Sequence, residues 1–275
     1  MMPSKAPPIS ITENIQLGGD RLVIFAGPCA IETEDLTLQV ARDVKAMGER
    51  LDIDVVFKAS YDKANRTSLS SYRSAGMDEG LRILQRVKDE FEMPVITDVH
   101  ESTQMPRVAE VADVVQIPAF LCRQTDLLIA AGKSGRAVNI KRGQFMAARD
   151  MRFAVQKVQQ SGNPNVFLTE RGVTFGYHDL IVDMRSFPIM REFAPVVYDV
   201  THSIQQPGAM DGSSGGARWL APPLARGAVA VGVDGLFLET HPDPDNALSD
   251  GPNMIPSGEL EAVLAKLKAI WELAR

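Results

Sequence analysis

Eight short runs rich in Val, Ile, Leu and Phe recur along this chain, and their repetition limits the possible folds more than any other feature. They are RLVIFAG (21–27), DVVFKAS (54–60), PVITDV (94–99), VVQIPA (114–119), AVNIKR (137–142), NVFLTE (165–170), VVYDVTH (196–202) and GLFLET (235–240). Near-continuous apolar runs of this length suit parallel strands covered on both faces. Helical patterns lie between them, among them 37–51, 80–91 and 145–160. The last, 258–274, carries Leu260, Val263, Leu264, Leu267 and Ile270 as one stripe. Strands alternating with helices predict βαβ units and a parallel sheet. Eight such units fit a closed (β/α)8 TIM barrel better than an open doubly wound sheet. The open form would usually carry a phosphate loop of the GxGxxG or GxxxxGK[ST] type, and neither occurs.

A chain of 275 residues is ordinary for one such barrel, so residues 1–275 are expected to form a single α/β domain. Residues 1–13 are read as a flexible N-terminus, and NIQLGGDR (14–21) as a short hairpin closing the barrel bottom. The stretch 203–219 is long, irregular and rich in Gly and Ser, which predicts a mobile lid beside the seventh strand. A net charge of −6 argues against a nucleic-acid binder. Two cysteines cannot build a disulfide framework, and the polar, Pro-rich start does not resemble a signal peptide. The expectation is a cytoplasmic globular protein.

Barrel enzymes build their chemistry at the C-terminal ends of the strands. Read there, the first, seventh and eighth runs and the loop that follows supply Cys29, His202, Glu239 and Asp250. Ring closure makes these strands neighbours. A thiolate, an imidazole and two carboxylates suit a divalent ion such as Zn, Fe or Mn. A packed core cysteine beside a hydrogen-bonded histidine is the plainer alternative. The other half of the rim supplies Lys58, Lys63, Arg66, Arg123, Lys141 and Arg171. Individually these could be solvated rim charges or partners of nearby carboxylates. As a set in an acidic protein, they point to anionic substrates held by phosphate or carboxylate.

Seven segments occur in a fixed order: KASYDKANRTS (58–68), ITDVHE (96–101), QIPAFLCRQTDLL (116–128), NIKRGQF (139–145), RGVTFGY (171–177), DVTHSIQ (199–205) and FLETHPDPDNALSDGP (237–252). Together they resemble the 3-deoxy-D-manno-octulosonate 8-phosphate synthase family over roughly residues 14–272. The resemblance implies a (β/α)8 barrel that joins phosphoenolpyruvate, D-arabinose 5-phosphate and water, and releases phosphate. Cysteine rather than asparagine at position 29 implies the family's metal-dependent branch, with Cys29, His202, Glu239 and Asp250 as ligands. It further implies that Lys58, Lys63, Gln116, the backbone of Ala119, Lys141 and Arg171 hold phosphoenolpyruvate. Asn65, Arg66 and Thr67 correspond to the sugar-phosphate loop. Arg123 corresponds to an arginine that reaches a neighbouring subunit's site, which implies a homotetramer. His202, Lys63 and Asp98 are the catalytic candidates, with Lys63 as proton donor to the nascent alkoxide.

The sequence departs from the family at YRSAG (72–76), where relatives commonly read YRGPG, so the permitted backbone angles differ. His100 and His241 are read as structural supports, His178 as a surface residue and Cys122 as a packed thiol. The nearest rival is the synthase of 3-deoxy-D-arabino-heptulosonate 7-phosphate, which uses erythrose 4-phosphate. Its loop typically carries Lys-Pro-Arg-Thr, whereas this chain has Lys63-Ala64-Asn65-Arg66-Thr67. A silent barrel that only binds an anion is a second rival, opposed by the complete ligand and cation sets.

Overall fold

Each expected run is a strand of one parallel sheet, with ends slightly shifted. A computed structural model describes residues 5–66, 68–175, 177–210 and 213–275. The strands are β1 (Val23–Gly27), β2 (Asp54–Lys58), β3 (Val95–Asp98), β4 (Val114–Ile117), β5 (Ala137–Lys141), β6 (Val166–Glu170), β7 (Val196–Asp199) and β8 (Gly235–His241). Successive strands pair in parallel from β1 to β8, and β8 pairs with β1 over Gly235↔Val23 to Glu239↔Gly27, which closes the ring. Outside it lie α1 (Glu34–Leu51), α2 (Met77–Phe91), α3 (Met105–Val111), α4 (Thr125–Lys133), α5 (Met151–Gln160), α6 (Ser186–Met190), α7 (Ala221–Val231) and α8 (Ser257–Leu273). Thr33 caps α1 by accepting from the Leu36 amide at 3.2 Å, and Glu34 and Asp35 meet the positive end of the helix. The fifth helix begins only at Met151, because residues 148–150 form a turn of 3-10 helix first.

The two-residue period of the strands sorts their side chains into two cores. Ile24, Ala26 and Phe57 pack outward beneath the helices. Val23, Phe25, Val56, Ile96, Val114, Phe167, Val197 and Phe237 pack inside the lower barrel. Two residues further along the same faces, the interior becomes polar: Lys58, Asp98, Gln116, Asn139, Thr169, Asp199 and Glu239 are all buried. The fold thus places a charged chamber on an apolar plug.

Two local expectations differ from the structure. The N-terminal hairpin joins Ile9–Ser10 to Gln16–Leu17, and Ile9, Ile11 and Leu17 are buried in the lower core. It therefore begins inside the stretch read as a flexible terminus. The segment 203–219 is not irregular throughout. Gln205–Met210 pairs with Ser213–Gly216 as an antiparallel hairpin, with a register shift between Gln206 and Met210. Backbone pairing there needs no apolar pattern, so the strand signal is missing from the sequence. Among the described residues no helix is long and apolar enough to cross a membrane.

Gly27 ends β1 where it meets β2, and a Cβ there would come within 2.0 Å of the Lys58 carbonyl oxygen. Neither backbone can yield without opening the ring. Gly27→Ala is expected to cost at least about 1–3 kcal/mol, the usual range for overpacking. A lowered urea midpoint with an unchanged slope would show it.

Candidate active site

The polar chamber opens as a cavity of about 440 Å³ at the C-terminal ends of the strands. Five of the six rim cations line it: Lys58, Lys63, Arg66, Lys141 and Arg171. Asn65, Asp98, Gln116, Ala119, His202, Glu239 and Asp250 line it as well. Arg123 does not; it is exposed on the outer side of the fourth loop, where its carbonyl accepts from Lys157 at 3.1 Å. Thr67 lies outside the described residues.

On one side of the chamber, donor atoms of Cys29, Glu239 and Asp250 all lie within 4.8 Å of one another. His202 stands beside this group, with Nε2 3.5 Å from Glu239 Oε1 and 4.0 Å from Asp250 Oδ2. Its Nδ1 faces Asp199 Oδ2 at 2.9 Å, which turns Nε2 toward the carboxylates. Asp250 adopts a left-handed conformation at φ 52°, and Gly251 follows where a Cβ would meet the Pro244 carbonyl at 2.2 Å. The tight turn aims Asp250 at the chamber. Glu239 Oε2 is buried without a hydrogen-bond partner. An orphaned carboxylate oxygen among sulfur, nitrogen and oxygen donors is what a divalent ion would satisfy, so these residues fit such an ion.

Burial and neighbouring charges act differently on the buried groups of the chamber. Burial opposes the charge on Glu239, but His202, Lys58 and Lys63 outweigh it and hold the carboxyl below the usual carboxylate range. Burial, with Glu239 beside it, pushes the Cys29 thiol up. Burial also opposes the charge on Asp98, yet Lys63 and Lys58 bring it down to about 2. For Lys63, burial is outweighed by Cys29, Glu239, Asp98 and Asp250, which raise it.

Lys58 differs from the other cations in being fully engaged. Its ammonium donates to Glu239 Oε1 at 2.5 Å and to the Cys29 carbonyl at 2.7 Å. Lys141 is held by Asp199 Oδ2 at 2.7 Å and lies 3.8 Å from the centre of the Phe237 ring. Arg171 gives one nitrogen to Gln205 at 2.9 Å, and its Nη1 is buried without a partner. Burial depresses its guanidinium, partly offset by Asp199. A buried guanidinium with a free donor is an anion site waiting to be filled.

Arg66 Nη1 donates to Ser249 Oγ at 3.0 Å, and that hydroxyl lies 2.9 Å from Cys29 Sγ. Glu32 accepts from the Leu248 amide at 3.0 Å, so the first, second and eighth loops are tied together over the chamber. Asp199, Ser249 and Glu32 are site residues that the sequence alone did not single out. Asp199 stands two residues before Thr201 in the matched DVTH segment, and its inward period-2 position was the usable signal. In the YRSAG segment, Ser74 holds φ 88°, a left-handed conformation that favours glycine. Its hydroxyl lies 2.9 and 3.0 Å from the Ile31 and Ser60 carbonyls, so its one hydrogen can be given to either, which offsets that strain. His241 Nδ1 accepts from the Asp243 amide at 3.0 Å, His178 is exposed, and Cys122 is buried away from the donor group.

A closed parallel barrel with a buried, cation-lined chamber at its C-terminal mouth defines a TIM-barrel enzyme acting on anionic substrates. Within that class, the chain belongs to the DAHP synthetase I family, which it matches over residues 6–274. It is 54% identical over 264 residues to the 2-dehydro-3-deoxyphosphooctonate aldolase of Trichlorobacter lovleyi, covering 95% of this chain and 97% of the relative. Its identity to the proteins of the same name from Geobacter sulfurreducens and Brucella anthropi is 55% in both cases. The former match covers 94% of this chain and 95% of the relative, the latter 92% and 91%.

Proposed function

We propose that this protein condenses phosphoenolpyruvate with D-arabinose 5-phosphate and water to give 3-deoxy-D-manno-octulosonate 8-phosphate and phosphate. The reading is carried by full-length similarity to relatives named for that eight-carbon product. The cation-lined chamber supports it independently. Those names also favour it over the seven-carbon synthase reading.

Both substrates are polyanions, and bringing them together in one chamber is opposed by charge. Lys141, Arg171, Gln116 and the backbone of Ala119 are assigned to phosphoenolpyruvate, with Lys58 and Lys63 completing the positive field. Asn65, Arg66 and Thr67 are assigned to the phosphate of the sugar. Holding C3 of phosphoenolpyruvate against the aldehyde carbon can supply up to about 7–11 kcal/mol of the barrier through orientation. C3 then bonds to the aldehyde carbon while positive charge develops at C2. Lys63 gives a proton to the resulting alkoxide, and Glu239 and Asp98 face the developing cation with negative charge. Water adds at C2 and loses a proton, and the hemiketal phosphate releases phosphate to leave the keto acid.

Cys29, His202, Glu239 and Asp250 would hold a divalent ion of the Zn, Fe or Mn kind, which would supply Lewis-acid polarisation of the aldehyde oxygen. Asp199 keeps the His202 ring oriented in either case. Arg123, outside its own chamber, is assigned to a neighbouring subunit's sugar phosphate in a cytoplasmic homotetramer. Product mass spectrometry with both substrates tests the reaction: an octulosonate phosphate is expected, and its absence would overturn the reading. Arg66→Ala is expected to raise KM for the sugar phosphate at least about tenfold with a smaller change in kcat, because a charge-assisted contact is lost. An unchanged KM would contradict the loop assignment.

A further inference from the structure

A directed line of hydrogen bonds runs around the inside of the barrel at the chamber floor. Thr169 Oγ1 donates to Asn139 Oδ1 at 2.7 Å, and Asn139 Nδ2 donates to Gln116 Oε1 at 2.9 Å. Gln116 Nε2 then donates to Asp98 Oδ1, and Ser60 Oγ closes the line by donating to Asp98 Oδ2 at 2.8 Å. Gln116 is the register partner of Asp98 on one side and of Asn139 on the other. Gln116 and Asp98 line the cavity; Asn139 and Thr169 are wholly buried and do not.

The direction of this line has a chemical consequence. An ionised carboxylate only accepts, so Gln116 must turn its NH2 group toward Asp98. Its carbonyl oxygen is then committed to Asn139, whose own oxygen is committed to the Thr169 hydroxyl. We propose that Asn139 and Thr169 are positioning residues that lock the Gln116 amide, so that the chamber offers an N–H donor rather than a carbonyl oxygen to phosphoenolpyruvate. The inverted amide would set its oxygen against both Asp98 and the oxygens of the anionic substrate. Gln116 and Asp98 are almost wholly buried, so little water could reach them to relieve either repulsion once the substrate fills the cavity. The inference rests on the substrate reading above and assigns two residues that never touch the substrate.

Asn139→Asp tests the lock through a proton that the substitution introduces. While the new carboxyl group is protonated, it can give its hydrogen to Gln116 Oε1 and accept from Thr169, as asparagine does. Once ionised it only accepts, and it draws Gln116 round. The charged and titratable groups that act on Asp98 or feel it are Lys63, Lys58, His100, Lys141 and Tyr61, and they are common to wild type and variant. Calorimetric affinity for phosphoenolpyruvate is therefore compared as a ratio to wild type at each pH. The expected ratio is within twofold of unity at the acid end of the range. It should fall at least about tenfold as pH rises. Asn139→Leu, which has no proton to give, should lose about tenfold at every pH, with KM for D-arabinose 5-phosphate within twofold of wild type.

Thermal melts identify any variant that fails to fold, and the folded one decides the outcome. Phosphoenolpyruvate affinity within twofold of wild type throughout would overturn the lock. So would an equal loss for both substrates, which marks a merely structural residue. A wild-type protein that binds no phosphoenolpyruvate would instead overturn the substrate reading, and this inference with it.

Discussion

Cys29→Ala is expected to abolish tight binding of a divalent ion and, with it, most of the activity. Cys29 supplies the single sulfur among the donor atoms that converge with Glu239 and Asp250. Removing an outer partner of a metal ligand typically weakens a site about 10–100-fold, so deleting the ligand itself should cost at least about a hundredfold in affinity. The fold should tolerate the change, since alanine leaves a small void and frees the Ser249 hydroxyl, now 2.9 Å from the sulfur, to turn toward Asp250. Metal content after dialysis, with turnover measured in parallel, gives the answer. Full activity of the variant in chelator would overturn the metal assignment.

Asp199→Asn should have the largest effect on stability. Asp199 is fully buried, holds the Lys141 ammonium at 2.7 Å and accepts from the His202 backbone amide at 2.9 Å. Burial opposes its charge, but His202 and Lys141 outweigh it and depress the carboxyl strongly. The asparagine leaves Lys141 as an uncompensated buried cation, and breaking a buried pair in this way typically costs about 3–5 kcal/mol. Chemical unfolding should show that loss. The pH profile should shift too. Burial already lowers the Lys141 ammonium below its usual value, with Asp199 restoring part of the shift. Without Asp199 it falls further, so Lys141 loses its proton at lower pH and the alkaline limb of activity moves down. An unchanged alkaline limb would mean that Lys141 does not carry its charge into the reaction.

Much of this architecture could be read from residue order because the strands signal themselves. Runs such as LVIF at 22–25 and VVY at 196–198 are too apolar and β-branched to serve elsewhere. Once eight such runs alternate with helices, ring closure brings Cys29 next to Glu239 without any local motif. Lys58 and Lys141 were conspicuous for the same reason, as charges inside strands. What stayed hidden depends on three-dimensional partnership. Asp199 and Ser249 are common residue types whose importance comes from the lysine, histidine, arginine and thiol they meet across the barrel. The hairpin Gln205–Met210 with Ser213–Gly216 carries almost no apolar side chains, so backbone pairing alone defines it. For Lys58 the plainer alternative, a cation paired with a nearby carboxylate, is present in the structure: its contacts to Glu239 and the Cys29 carbonyl make it a support for the donor cluster.

Phosphate release, measured with phosphoenolpyruvate and either D-arabinose 5-phosphate or erythrose 4-phosphate, tests the central claim most directly. The five-carbon sugar phosphate should give stoichiometric phosphate, with kcat/KM at least about a hundredfold above that for the four-carbon one. Equal or greater use of erythrose 4-phosphate, or no phosphate with either aldose, would contradict the account.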